Sequence, residues 1–159
     1  MCPYTGNQEI REQGNSCFWQ RSRWPAPQPP IILNGRWQLD AAHSPDADRP
    51  QSETLAITQK ADSIAISDVI TDSNGKERRT DLECNTTGRE CKLKAQSVTL
   101  YYSGPRLVMM ETRHNNQWVI KKRLQPSDDG KTLKLEVIDI VPLGRKSENY
   151  SFMRQVSSN

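Results

Sequence analysis

The chain of 159 residues lacks any long hydrophobic run, and no stretch approaches the roughly 20 apolar residues of a membrane-spanning helix. Excess charge is also missing, because 22 Lys and Arg residues are balanced by 19 Asp and Glu residues, with both signs scattered along the chain. No basic stripe could neutralise a run of phosphates, so nucleic-acid binding is not expected. These absences predict a soluble chain of one domain with an appendage, long enough to bury a core.

Histidine is scarce, which limits the chemistry that the sequence can support. His43 and His114 are the only two, and neither has the spacing from cysteines that a zinc finger requires, so no metal is expected. No cofactor is expected either. His43 adjoins Ser44 in a polar loop, but the side chains of sequence neighbours do not automatically meet. The sequence therefore assigns no catalytic residue and favours a protein that is not an enzyme.

The amino-terminal segment lacks both the apolar core of a secretory signal and the periodicity of a helix or strand. It has prolines at positions 3, 25, 27, 29 and 30, and proline restricts its own backbone and that of the preceding residue. We interpret residues 1–33 as an irregular, Pro-rich tail or linker. The remaining residues, 34–159, are predicted to form the folded domain.

From Asn34 onward, short runs alternate apolar and polar residues, and turn-forming Asn, Asp and Gly separate many of them. Leu55 and Ile57 share one face of one run, and Ile64 and Ile66 share one face of the next. This period of two is typical of strands with one buried face. About eight to ten strands are joined by spacers too short for parallel crossovers. The pattern predicts an all-β fold, an antiparallel up-and-down β-barrel, with a two-sheet sandwich as the alternative.

Two of the cysteines flank six residues, including the turn-forming NTTG, in the stretch CNTTGREC, Cys84–Cys91. Strand-like sequence leads in and out, so a hairpin would set the two residues opposite each other, at the Cα separation of about 4.4–6.8 Å that a disulfide needs. A metal site would need further ligands, and a redox pair typically has two intervening residues at a helix start. We therefore predict a structural disulfide within one hairpin.

A structural disulfide indicates an oxidising compartment, whereas the missing export signal would indicate the cytosol. We resolve this conflict with the expectation that the protein is extracytoplasmic, either periplasmic or secreted, and that an export signal precedes Met1 in the natural protein. Cys2 and Cys17 flank a stretch of the tail and are left unassigned.

Gly35 and Trp37 open the first predicted strand, and Tyr150, Phe152 and Arg154 alternate near the end of the last. This arrangement resembles the lipocalin family, in which a Gly-x-Trp opens the barrel and a late Arg packs across the Trp. Over about residues 34–155 the chain is similar to small bacterial extracytoplasmic lipocalin-like domains. The resemblance implies a barrel, export and a small-molecule cavity, with Trp37 and Arg154 in structural roles. The second lipocalin motif and the usual flanking helix are missing, so no particular ligand is implied.

Charged residues share the parity of the apolar residues in four predicted strands, which points them into the barrel. Unpaired charge is costly there, so such residues should pair, lie at a wet mouth or meet a polar ligand. The alternative is that a bulge reverses the parity or that each charge lies at a strand end. The candidate ligand-binding residues are these four and one tyrosine: Asp68, Glu111, Lys122, Asp139 and Tyr102.

Three functions are compatible with such a barrel. The first is an exported, non-enzymatic binding domain for a small, partly apolar ligand. The second is an envelope-associated interaction module with a self-filled barrel and an unknown protein partner, and the third is an enzyme with residues at the barrel mouth. A continuous cavity favours the first, a filled interior with an exposed apolar patch the second, and converging titratable groups the third.

Overall fold

The computed structural model describes residues 30–45, 49–113, 116–142, 144 and 146–156. Regular structure in these ranges is almost entirely β, with one short 3-10 helix at Ala41–His43. None of these residues forms a helix long and apolar enough to span a membrane. The strands are β1 (Gly35–Leu39), β2 (Ser52–Gln59), β3 (Ser63–Thr71), β4 (Glu77–Asn85), β5 (Cys91–Leu93), β6 (Gln96–Ser103), β7 (Arg106–Arg113), β8 (Trp118–Pro126), β9 (Thr132–Val141) and β10 (Lys146–Arg154).

All ten strands belong to one antiparallel sheet, in which strands that follow one another in the chain are hydrogen-bonded neighbours at every step but one. β1 also pairs with β10, so the sheet curls into a nearly closed barrel. Buried positions alternate along the strands, as at Leu55 and Ile57 of β2 and at Ile64 and Ile66 of β3. The prediction of an all-β, up-and-down barrel is therefore confirmed. The alternative of a two-sheet sandwich does not apply, because the ten strands form one sheet.

The one interruption of the sheet is a seam between β4 and β5, its two edge strands. The disulfide between Cys84 at the end of β4 and Cys91 at the start of β5 joins the two edges, with Cα atoms 5.9 Å apart. The predicted disulfide is confirmed. The predicted hairpin is wrong, because β5 pairs with β6 and not with β4. The covalent bond thus spans the seam of the barrel instead of two paired strands.

The connection from β4 to β5 explains why no hairpin forms. The side-chain oxygen of Asn85 accepts hydrogen bonds from the backbone N–H groups of Thr87 and Arg89, which folds residues 85–89 into a compact loop. Thr87 then forms an isolated bridge with Tyr101 of β6. This bridge places the loop beside β6, on the other side of the seam, and β5 then pairs antiparallel with β6.

One end of the barrel, where β1 begins and β10 ends, is filled by the protein's own side chains and is called the closed end below. Leu33, which the sequence analysis assigned to the tail, belongs to this core and is completely buried, so the packed barrel begins before residue 34. The completely buried side chains are those of Leu33, Trp37, Ile64, Leu100, Leu107, Leu133 and Phe152.

The segment that leads into β1 is tied down at the closed end by Gln59. The Gln59 amide oxygen accepts a hydrogen bond from Leu33 N at 2.6 Å, and its Nε2 donates to Ile31 O and to the Tyr102 hydroxyl, each at 3.0 Å. Trp37 Nε1 donates to Leu33 O at 2.9 Å. The polar atoms named here are therefore paired, as burial requires.

Arg154 covers the closed end from the last strand. It lies opposite Trp37 in the β1–β10 register, and its guanidinium carbon is 4.1 Å from the centre of the indole ring. The guanidinium also donates hydrogen bonds to Gly130 O and Asn34 O. A Cβ atom at Gly35 would lie 2.5 Å from Arg154 Nη1, and Gly35 has a φ of +129°, so glycine is required here.

Candidate ligand-binding site

Charged side chains gather inside the barrel towards the end opposite the closed end. Glu53 lies near the start of β2 and Asp68 in the second half of β3, and each shares the inward parity of buried Leu or Ile residues. Glu111 in β7 and Lys122 in β8 face the same interior by the same rule. The alternation that fills the closed end with apolar groups therefore brings four ionisable groups together farther along the same strands.

Glu111 and Lys122 form an ion pair across β7 and β8. Lys122 Nζ is 3.1 Å from Glu111 Oε1, and the lysine and glutamate side chains are only 28% and 11% exposed. In such a partly buried pair, the attraction between the two charges offsets the free-energy cost of desolvating them. Removing either residue would therefore leave an uncompensated charge in the interior.

Glu53 and Asp68 form a second pair, made of two carboxyl groups on adjacent strands. Burial raises the pKa of Glu53 to about 8, and the negative charge of Asp68 and a hydrogen bond with Asp68 contribute to this rise from the ordinary value of 4.5, while Lys122 opposes it. The pKa of Asp68 is raised as well, chiefly by burial and also by the charge of Glu111, although the hydrogen bond with Glu53 and the charges of Lys122 and Arg78 oppose the rise. The pair therefore holds a proton more tightly than an isolated carboxyl group does, and Glu53 is the donor of the hydrogen bond.

One carboxylate oxygen of Asp68 has no hydrogen-bond donor in the described part of the chain. Asp68 Oδ1 is buried and accepts no hydrogen bond from any residue that the structure describes. Most buried acceptors in folded proteins have a donor, and an acceptor without one raises the free energy of the folded state. This oxygen is therefore the point at which the interior is best prepared to receive a donor from elsewhere.

Three of these four groups line a cavity of about 400 Å³, which is called the cup below, and Glu111 reaches it through its ion pair with Lys122. Its charged wall includes Glu53, Asp68 and Lys122, and its other interior wall is mainly apolar. Arg78, an exposed residue of β4, borders the cup as well. The remaining lining residues are Ile70, Leu135, Val137 and Tyr150 inside, and Arg49, Pro50, Asp72 and Ser73 at the rim. A cavity with one apolar and one charged wall is suited to an amphipathic small molecule.

Three larger clefts lie outside the barrel interior. One, of about 590 Å³, runs along the seam between Arg79–Asp81 of β4 and the β5–β6 turn, and most of its lining residues are solvent-exposed. The second, of about 820 Å³, lies beside the 3-10 helix on the outer face of β8–β10. The third, of about 520 Å³, is bordered by Ile31, Ile32 and the β8–β9 turn. None of the three has a buried carboxyl or ammonium group in its lining, whereas the smaller cup has the buried Glu53, so the cup is the better candidate site.

The structure brings three of the five sequence-predicted ligand residues together, namely Asp68, Glu111 and Lys122. Tyr102 is placed elsewhere, because its hydroxyl bonds to Gln59 at the closed end. Asp139 lies opposite Ile120 of β8 and Lys146 of β10, beyond the residues that line the cup.

Among the cup residues that sequence reasoning missed are Glu53, Arg78 and Tyr150. The parity signal was present for the first, because Glu53 is two residues before Leu55 and four before Ile57. Tyr150 was recognised for its alternation with Phe152, but no interior role was given to it. Metal binding has no support in the described ranges, which contain no group of three or more His, Cys, Asp or Glu side chains able to hold an ion.

No protein-family model and no curated protein sequence matches the chain. Solved structures do match in fold. Secretory abundant heat soluble protein 4 from Ramazzottius varieornatus gives a TM-score of 0.61 at 13% identity, over 84% of this chain and 100% of that one. A mutant of the fluorescent protein UnaG gives 0.58 at 15% identity, over 79% of this chain and 97% of that one.

A Schistosoma mansoni fatty acid binding protein in complex with arachidonic acid gives a TM-score of 0.54 at 14% identity, over 77% of this chain and 96% of that one. At such identities the likeness concerns the fold alone. It shows that the chain shares the antiparallel β-barrel fold of these proteins, as expected from the pattern at Gly35, Trp37 and Arg154.

Proposed function

We propose that the protein is an exported, non-enzymatic binding protein that holds one small, partly apolar molecule in the cup. The observation that carries this proposal is the cavity of about 400 Å³ inside the barrel, with apolar residues on one wall and buried ionisable groups on the other. Filling it would remove apolar surface from water and supply partners to polar atoms in one step.

The size of the ligand follows from how the barrel is filled. The closed end is occupied by completely buried side chains such as Trp37, Phe152 and Leu133, so the ligand is confined to the other half of the interior. The Schistosoma mansoni protein shares the fold and has a fatty acid as its ligand, which supports an apolar portion in the molecule bound here. A shorter molecule than one filling a whole barrel is expected.

A binding role accounts for the ionisable groups better than catalysis does. Lys122 is engaged by Glu111, and Glu53 is engaged by Asp68, so the groups of the cup satisfy one another in pairs. No nucleophile beside a histidine base lines the described part of the cup. These pairings support recognition of a polar group and not a proton-transfer cycle.

The extracytoplasmic setting is supported by the disulfide across the seam. Structural disulfides persist in oxidising compartments and are rare in the cytosol. Cys84 is 3% exposed, so the bond belongs to the packed core and is not a surface redox pair. We propose a periplasmic or secreted location on this ground.

Titration of the full chain with a neutral, environment-sensitive dye such as Nile red tests the proposal. Val137→Trp should fill the cup and abolish the fluorescence gain, because Val137 lines the cavity. Ile138→Trp is the matched control, since the next residue along β9 faces outward and should leave dye binding intact. Equal dye binding by both variants would show that the cup is not the binding site.

A further inference from the structure

We propose that the ligand of the cup carries a protonated amine, whose N–H groups donate to the Asp68 carboxylate while its apolar body lies against Ile70, Leu135 and Val137. This inference rests on the proposed function and specifies the chemical class of the ligand. Three observations carry it: an acceptor without a donor, an imbalance between carboxyl groups and ammonium groups, and a proton held where a cation would fit.

The acceptor is Asp68 Oδ1. It is buried in the interior and no described residue donates to it. Asp68 also lines the cup, so a molecule in the cavity is within reach of this side chain. An ammonium group has several N–H donors and a positive charge, and hydrogen bonds to charged groups are stronger than those between neutral groups.

The imbalance is seen among the charged groups that act on Asp68. β2, β3 and β7 contribute the carboxyl groups of Glu53, Asp68 and Glu111, whereas β8 contributes the single ammonium group of Lys122. That ammonium lies 3.1 Å from Glu111 and is committed to it. Arg78 of β4 acts on Asp68 only through its field and is solvent-exposed. β9 contributes only apolar residues to the cup.

At the rim, Arg49 and Asp72 add one charge of each sign and leave this balance unchanged. Tyr150 of β10 adds a hydroxyl that hydrogen-bonds to Glu148 of the same strand. An anionic ligand group would therefore be placed beside the carboxyl groups of Asp68 and Glu111, while Lys122, the ammonium group of the interior, is already paired with Glu111. A cationic group restores the balance, so the geometry favours an amine over a carboxylate.

The proton on Glu53 occupies the role that the amine would take. With the cup empty, the neutral Glu53 carboxyl donates to Asp68, because burial and the charge of Asp68 raise the pKa of Glu53. When an ammonium group donates to Asp68 instead, its positive charge stabilises ionised Glu53. The balance is R–NH3+ plus neutral Glu53 giving the complex with ionised Glu53 and one proton released to solvent. No covalent bond forms or breaks beyond the transfer of that proton.

Competition against the neutral dye tests the inference with two ligands of equal chain length, octylamine and octanoate. We expect octylamine to displace the dye at lower concentration than octanoate by about tenfold or more. Calorimetry of octylamine binding in two buffers of different ionisation enthalpy should show release of about one proton per chain. The affinity for octylamine should rise by up to about tenfold per pH unit between about pH 6 and 8.

Matched variants locate the effect. Asp68→Asn keeps the size of the side chain but removes its charge, and should reduce the affinity for octylamine by about tenfold or more relative to the affinity of the same variant for the dye. Asp81→Asn is the control. Asp81 is an exposed aspartate on the outward face of β4 that bonds to Arg79, so its replacement should change neither the octylamine affinity nor the dye binding.

The outcomes separate this inference from the proposed function. Dye binding with displacement by octanoate and not by octylamine would overturn the amine and leave the binding role intact. Equal displacement by both ligands, or an octylamine affinity unchanged by Asp68→Asn in a variant that still binds dye, would also overturn it. Failure of the unmodified chain to bind dye at all would refute both.

Discussion

Arg154 and Trp37 lie opposite each other on the last and first strands of the sheet, with the guanidinium carbon 4.1 Å from the centre of the indole ring. This contact joins the first and last strands of the barrel. The cation is stabilised by the electron-rich face of the ring, and its N–H groups satisfy backbone carbonyls of Gly130 and Asn34. The same contact fixes glycine at position 35, where a side chain would meet the guanidinium.

Replacing Trp37 by Ala should lower the free energy of unfolding by about 3–5 kcal/mol, because a completely buried indole is lost and a cavity remains. Trp118→Ala is the control, since Trp118 is 44% exposed and its loss should cost about 1 kcal/mol or less. Urea unfolding followed by far-UV circular dichroism measures both. Equal losses for the two variants would show that Trp37 does not anchor the closed end.

Breaking the disulfide should loosen the seam of the barrel more than any other part. The chain-entropy estimate for a loop of this length is about 2.5 kcal/mol, so the double variant Cys84→Ser, Cys91→Ser should remain folded but be less stable by about that amount.

Hydrogen exchange measured by mass spectrometry identifies where that loss acts. Peptides covering the ends of β4 and β5 should exchange faster in the double variant, because these edge strands have no hydrogen-bonded partner across the seam. Peptides from β9 and β10, which are fully paired, serve as the internal control. Uniform acceleration in all strands would contradict a local role for the bond.

The stability of the empty protein should fall as pH rises from about 4.5 to about 8. Burial raises the pKa of Glu53 from 4.5 to about 8 in the folded chain, so the folded state binds a proton that the unfolded state has released. The contribution is complete below the unfolded value and is lost as pH passes the folded value, with a slope of at most about 1.4 kcal/mol per pH unit.

Glu53→Gln should flatten this pH dependence, because an amide still donates to Asp68 without titrating. Glu83→Gln is the matched control, since Glu83 of β4 is exposed and pairs with Lys60 at the surface. Urea unfolding midpoints at roughly pH 5, 6.5 and 8 give the pH dependence of stability for each variant and for the unmodified chain. An unchanged slope in the Glu53 variant would mean that another group carries the pH dependence.

A chain that starts at Ile31 should be as stable as the full chain, since the tail of residues 1–30 has no periodic apolar face in its sequence. A chain that starts at Asn34 should lose about 2–5 kcal/mol, because it lacks the completely buried Leu33 and the backbone groups that bond to Gln59 and Trp37. Thermal unfolding of the three chains is the measurement. A large loss on cutting at Ile31 would show that the earlier residues contribute to the fold.

Much of the barrel could be predicted from the sequence because its information is local. The period of two at Leu55 and Ile57, or at Ile64 and Ile66, is a property of single strands and survives in the structure as alternate burial. Short connections then require antiparallel neighbours. The seam could not be predicted, because it depends on the bridge between Thr87 and Tyr101. Nothing in the local sequence marks these two residues as partners.

The cup was predictable only in part, for a similar reason. Parity alone identified Asp68, Glu111 and Lys122, since inward charge is unusual in a barrel. Parity does not show depth along the barrel, and Tyr102, the other candidate, lies at the closed end. Glu53 was overlooked because its partner Asp68 is on the next strand, and the proton that they share arises from burial that a single sequence does not reveal.

Native mass spectrometry of the full chain, recovered without denaturation from the cells that naturally make it, tests the central claim most directly. The account predicts one small molecule per chain, released on activation in the gas phase and absent from the Val137→Trp variant produced in the same cells. The Ile138→Trp variant should retain it. A bare chain mass for the unmodified protein, or an adduct that persists equally in the Val137→Trp variant, would contradict a ligand in the cup.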